Sequence, residues 1–85
     1  MITAADIAQR AKELLVLLTG LKADTISRLE KGDSWRVNVE MVEMNRIPIS
    51  SDVLATYEVL LDNDGNLISY QRIRRYLRGE VMEHA

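Results

Sequence analysis

The residues best equipped for chemistry crowd into the C-terminal third of the chain. Arg72, Arg74, Arg75 and Arg78 place four of the eleven basic residues within seven positions, with Tyr70 and Tyr76 interleaved. Guanidinium and phenol groups can clamp phosphates and stack on bases. They can equally pair with carboxylates, either on a neighbouring strand, such as Glu58 and Asp62, or on a protein partner. The chain as a whole is acidic, with 13 Asp and Glu against 11 Lys and Arg and a net charge of −2. That balance gives no long-range pull toward nucleic acid or acidic lipid. Internal pairing combined with a protein contact is therefore the expected use of the arginines, and nucleic-acid binding is the alternative.

Other chemistries find little support. Glu40 and Glu58 could face one another across adjacent strands like an acid–base pair. Both lie on the polar side of an alternating pattern, however, which predicts solvent rather than a perturbed carboxylate. The Asp62-Asn63-Asp64-Gly65-Asn66 stretch has a superficial likeness to a calcium loop, but its glycine is at the fourth position and Ile73 falls at the twelfth. A calcium loop of the EF-hand type needs glycine at position six and a bidentate carboxylate at twelve. There is no cysteine, and the only histidine is His84. Thiolate metal sites, thiol nucleophiles and multi-histidine centres are thereby excluded. The expectation is a protein without catalysis, cofactor or metal.

The elements that must carry these residues follow from patterning. Thr3 and Asp6 have the spacing of a capping box, and Ile7, Ala11, Leu14 and Leu18 then recur at helical intervals, widened by Ala8 and Leu15. Gly20 follows as a helix stop. This predicts a helix at about 4–18. Val16 and Leu17 point away from the stripe, either to pack on the next loop or to form part of a partner surface. A short strand is expected near 25–30, then a turn at Lys31-Gly32-Asp33-Ser34. Trp35, Val37, Val39 and Met41 alternate with Arg36, Asn38 and Glu40, the signature of a half-buried strand with Trp35 in the core. Val42 and Met44 break the parity, through a bulge or a strand end covered on both sides. Pro48 marks a connection, and Val53, Ala55, Tyr57, Val59 and Leu61 form one face of a further strand. The Asp-Gly-rich turn joins it to a last strand as a hairpin. Leu67, Tyr70, Ile73 and Leu77 could also be placed at helical spacing, but the hairpin context favours a strand, in which a bulge could turn Tyr70 and Ile73 inward.

Eighty-five residues, 47% apolar and 28% charged, suit one small globular domain spanning 1–85. The expected architecture is α+β, an N-terminal helix packed on a four-stranded antiparallel sheet at about 25–78. The longest apolar run, Leu14 to Leu18, is far too short to cross a bilayer, and no basic region precedes an apolar one near Met1. A cytoplasmic protein without a membrane contact is expected.

From Ser34 onward the chain resembles the GvpO family of gas vesicle proteins. The resemblance rests on Trp35-Arg36-Val37 leading into Val39-Glu40-Met41-Val42-Glu43, on Arg46-Ile47-Pro48, and on Asp52-Val53-Leu54-Ala55-Thr56-Tyr57-Glu58-Val59. Leu61-Asp62, Asp64-Gly65, Leu67, Tyr70, Arg72, Arg74-Arg75-Tyr76 and Arg78-Gly79 complete it. The resemblance implies an accessory protein associated with gas vesicles and required for their formation, as a minor component or assembly factor. Its implied partners are other gas vesicle accessory proteins and the shell protein, with a homodimer as a further arrangement. It carries no catalytic residues. Arg72, Arg74, Arg75, Tyr76, Arg78, Glu58 and Arg46 are the candidate partner-binding residues.

Overall fold

A computed structural model describes residues 2–79. In chain order these form α1 (Ala4–Thr19), β1 (Lys22–Lys31), β2 (Trp35–Met44), a 3-10 turn (Ile49–Ser51), β3 (Val53–Leu61) and β4 (Leu67–Leu77). The strands make one antiparallel sheet in the order β1-β2-β3-β4, and α1 lies over β1, β2 and β3. This is the α+β arrangement that the patterning predicts.

Helix α1 begins with a complete capping box. Thr3 Oγ1 accepts from the Asp6 backbone N–H at 3.2 Å, and Asp6 Oδ2 accepts from the Thr3 N–H at 3.1 Å. These bonds hold the Asp6 carboxyl below the usual carboxylate range. At the other end Gly20 takes a left-handed conformation, φ 73°, and its N–H returns to the Val16 carbonyl. The buried line is Ile7, Ala11 and Leu15. Leu14 is only partly buried and Leu18 is 45% exposed, so the true stripe is one residue off the four-three-four spacing of Ile7, Ala11, Leu14 and Leu18.

The core joins Ile7, Ala11 and Leu15 to Val37, Val39 and Met41 of β2 and to Val59 and Leu61 of β3. Trp35 packs against this cluster while remaining partly exposed, with the Lys31 ammonium 5.2 Å from its ring centre. β1 is longer than expected, starting at Lys22, and contributes Ala23, Ile26 and Leu29. Its apolar residues escape strict alternation because the register shifts between Ala23 and Thr25 and again between Ile26 and Arg28. In β2 a third shift lies between Val42 and Met44, which resolves the broken parity there as a bulge at Glu43.

The β3–β4 hairpin closes on Asp62. Its Oδ1 accepts from the N–H groups of Asp64 and Asn66 at 2.8 and 2.9 Å, and Gly65 supplies the positive φ of 86°. Those N–H donors lower the Asp62 carboxyl below its usual range. Asp62 is thus committed to the turn rather than to an arginine. Arg10 Nε donates to the Gly65 carbonyl at 3.0 Å and ties α1 to this turn.

The packing predicts unequal costs along α1. Leu15→Ala should remove about 2–5 kcal/mol of stability, as for other fully buried leucines. Leu17→Ala, at a site 79% exposed, should change stability by less than about 0.5 kcal/mol. Urea unfolding of the two variants measures the difference.

Candidate functional site

The arginine segment is a strand, and its face assignments depend on two bulges. Ladder partners run Leu61↔Leu67, Leu60↔Ser69, Val59↔Tyr70, Glu58↔Gln71, Tyr57↔Arg72, Thr56↔Arg74, Ala55↔Arg75, Leu54↔Tyr76 and Val53↔Leu77. Ile68 and Ile73 are the extra residues. Directly paired residues share a face. Leu67, Tyr70, Arg72, Arg75 and Leu77 therefore lie on the face that α1 packs against, and Ser69, Gln71, Arg74 and Tyr76 on the opposite one. Strict alternation along the strand would group Arg72 with Arg74 and Tyr76, but the extra residue at Ile73 inverts the alternation. Neither Tyr70 nor Ile73 is turned into the core; they are 40% and 47% exposed.

On the α1 side, Arg72 Nη1 and Arg75 Nε reach the two oxygens of Glu43 at 3.1 and 2.9 Å. The Glu43 side chain is only 13% exposed, against 49% and 56% for the two arginines. One sunken carboxylate thus holds two guanidinium groups that are themselves about half exposed. Arg78 is spent at the end of the sheet. It pairs with Asp24 at 3.4 Å and with Asp52 at 3.3 Å, while Asp52 Oδ1 accepts from the Arg46 N–H at 2.7 Å. The Arg46 guanidinium makes no ion pair among the described residues.

The opposite face holds the network that patterning missed. Glu40 is buried, 6% exposed, which overturns its expected place in solvent. Its carboxylate accepts from Ser27 of β1 at 2.5 Å, from Thr56 of β3 at 2.6 Å and from the Tyr76 hydroxyl of β4. Burial, reinforced by the hydrogen bond to Glu40 and by its negative charge, pushes the Tyr76 phenol up to about 12. Arg74 stacks over the Tyr76 ring, 4.5 Å from its centre. Ser27, Asn38, Glu40, Thr56, Ile73 and Arg74 line a shallow cleft of about 300 Å³. Buried Asn38 Oδ1 has no hydrogen-bond partner among the described residues. Glu58 does not pair with the β4 arginines. It accepts from Gln71 at 3.4 Å and meets Arg36 at 3.6 Å.

Chemically, the arrangement displays groups rather than enclosing them. Among the described residues no group of three or more His, Cys, Asp or Glu could hold a metal ion, and no helix is long and apolar enough to cross a membrane. β4 is exposed at every position but Tyr76, and no β4 residue enters the core.

Fold and surface define a small helix-on-sheet module with a projecting basic strand. The model of the family described as gas vesicle synthesis protein GvpO matches residues 1–82, and the chain belongs to that family. Gas vesicle protein O of Streptomyces sp. is 47% identical over 66 residues, covering 76% of this chain and 52% of that protein. Gas vesicle protein O of Haloferax mediterranei is 36% identical over 81 residues, covering 93% and 58%. Gas vesicle protein O1 of Halobacterium salinarum is 33% identical over 82 residues, covering 95% and 69%. The chain thus spans between about half and two thirds of the length of these relatives. No solved structure matches it.

Removing the central acceptor should be visible in Tyr76. Tyr76 titrates above its ordinary value of 10 in the folded protein, so this contribution to stability is complete below pH 10. It should be lost as pH rises from there through about 12. In Glu40→Gln the phenol should titrate lower, yet stay raised, because burial is the larger cause and remains. Tyrosinate absorbance across an alkaline titration reads both effects, and loss of the charge-assisted bonds should cost about 1–3 kcal/mol in urea unfolding.

Proposed function

We propose that this chain is a gas vesicle accessory protein, an assembly factor or minor component that works in the cytoplasm through contacts with other gas vesicle proteins and performs no catalysis. The family match over residues 1–82 carries this reading. The surface supports contact as the mode of action. β4 projects Tyr70, Ile73 and the arginines beyond the core, and clustered apolar and arginine side chains are favoured at protein interfaces.

Arg72 and Arg75 on the α1 side of β4 and Arg74 on its other side are the residues proposed to meet the partner, with Tyr76, Arg78, Glu58 and Arg46 supporting or bordering the strand. Tyr76 and Arg78 are held by Glu40 and by Asp24 and Asp52, so they fix the strand's position as well as its chemistry. Three of the four β4-end arginines already share carboxylates, which weakens a reading based on tracking a phosphate backbone.

Affinity capture from cells producing the organism's full set of gas vesicle proteins tests the assignment. The intact chain should recover at least one of them. Replacing Arg72, Arg74 and Arg75 together by Ala should leave the circular dichroism of the fold intact and reduce recovery about tenfold or more. Undiminished recovery removes β4 as the contact surface. A titration with DNA and RNA at low salt should show no binding, and tight, salt-sensitive binding would replace the assembly role with a nucleic-acid one.

A further inference from the structure

Helix α1 covers only part of its side of the sheet. Adjacent strands lie about 4.8 Å apart, so four strands span about 14 Å between the outer axes. A helix with its side chains is about 10–12 Å wide. α1 is seated over β1, β2 and β3, and Ile7, Ala11 and Leu15 spend its apolar line there. The strip beyond it consists of Leu67, Tyr70, Arg72, Arg75 and Leu77, each of them exposed. Its apolar members are 37–40% exposed.

The charge on this strip is unbalanced at the surface. Two of the three arginines of β4, Arg72 and Arg75, lie on this strip, and β4 contains no acidic residue. Glu43 is shared by Arg72 and Arg75 through one nitrogen of each, leaving one excess positive charge and further N–H donors on two half-exposed guanidinium groups. Because Glu43 fixes both guanidinium groups, much of the ordering cost of receiving a further carboxylate is already met. Strand addition at the outer edge is disfavoured, because arginines and the bulges at Ile68 and Ile73 interrupt it.

We propose that the uncovered α1-side strip of β4 docks an acidic amphipathic helix from another gas vesicle protein, lying beside α1 on the sheet. This rests on the assembly reading above and specifies its partner chemistry. The helix presents an Asp or Glu to Arg72 and Arg75, with apolar residues about two turns away on either side. Tyr70 and Leu77 pair with Val59 and Val53, six positions apart on β3, so each lies about 10 Å along the strand from the midpoint between Arg72 and Arg75. That matches about two helical turns of 5.4 Å each. The usual separation of packed helices, about 8–10 Å, places the second axis over β4 and its outer edge.

The test uses the full chain, isotope-labelled, with peptides of about 20 residues that tile the organism's other gas vesicle proteins. A binding peptide should become helical by circular dichroism and shift the resonances of Tyr70, Arg72, Arg75 and Leu77. Arg72→Glu combined with Arg75→Glu should weaken it about tenfold or more, and Lys in place of the peptide's acid should restore binding to that variant. If the double variant does not fold, Arg72→Gln with Arg75→Gln, and separately Tyr70→Ala, should show the same loss of binding. A peptide that binds in extended form, binds beside Val16 and Leu17, or binds equally well without its acid overturns the helix proposal, as does self-association through this strip. Those outcomes leave the assembly role standing when the intact chain still captures gas vesicle proteins. If neither peptides nor intact proteins bind, both readings fail.

Discussion

The sheet depends on one buried carboxylate. Glu40 receives hydroxyl groups from β1, β3 and β4 while itself belonging to β2, so a single acceptor group touches every strand. An ionised carboxylate removed from water without donors would be costly. Three converging O–H groups replace its hydration and hold the strands to one register. The bulges belong to the same arrangement. Ser27 is one of two extra residues in β1, and the extra residue at Ile73 turns Tyr76 onto the face where Glu40 lies. Regular alternation from Tyr70 would have pointed Tyr76 toward the α1 side instead.

This division gives the two faces different tasks. The α1 side holds the apolar core over β2 and β3, and the opposite side is locked by hydroxyl–carboxylate bonds. A sheet bolted from its polar side can extend a fourth strand that contributes nothing to the core. β4 is such a strand, and it carries the exposed arginines and Tyr70 of this member of the GvpO family. Rigid support under an exposed surface lowers the ordering cost of binding. The Arg72–Glu43–Arg75 and Asp24–Arg78–Asp52 groups add the same kind of support at the end of the sheet where β4 finishes.

What could be read from patterning was local. The capping box of α1, the turn glycines and the alternation in β2 and β3 all involve residues close in the chain, and each appears where expected. The candidate surface was partly legible, since the arginine cluster stands out by density alone. Its internal geometry was not. Leu67, Tyr70 and Leu77 share a face at spacings of three and seven, which imitates a helix, because two single-residue bulges stretch a period of two. A bulge is an inserted position without a characteristic composition, so nothing at Ile68 or Ile73 announces it.

Sequence by itself determined the α+β class, the boundaries of α1, the turns and the concentration of basic charge near the C-terminus. Tertiary structure decided which charges are available. Arg72 finds Glu43 across 29 positions of chain, and Arg78 finds Asp24 across 54. Glu40 looked like a solvated residue because alternation distinguishes two faces of a strand but not whether the second face is covered. The hydroxyls that bury it come from three other strands, and only their assembly into one sheet makes a polar position an interior one.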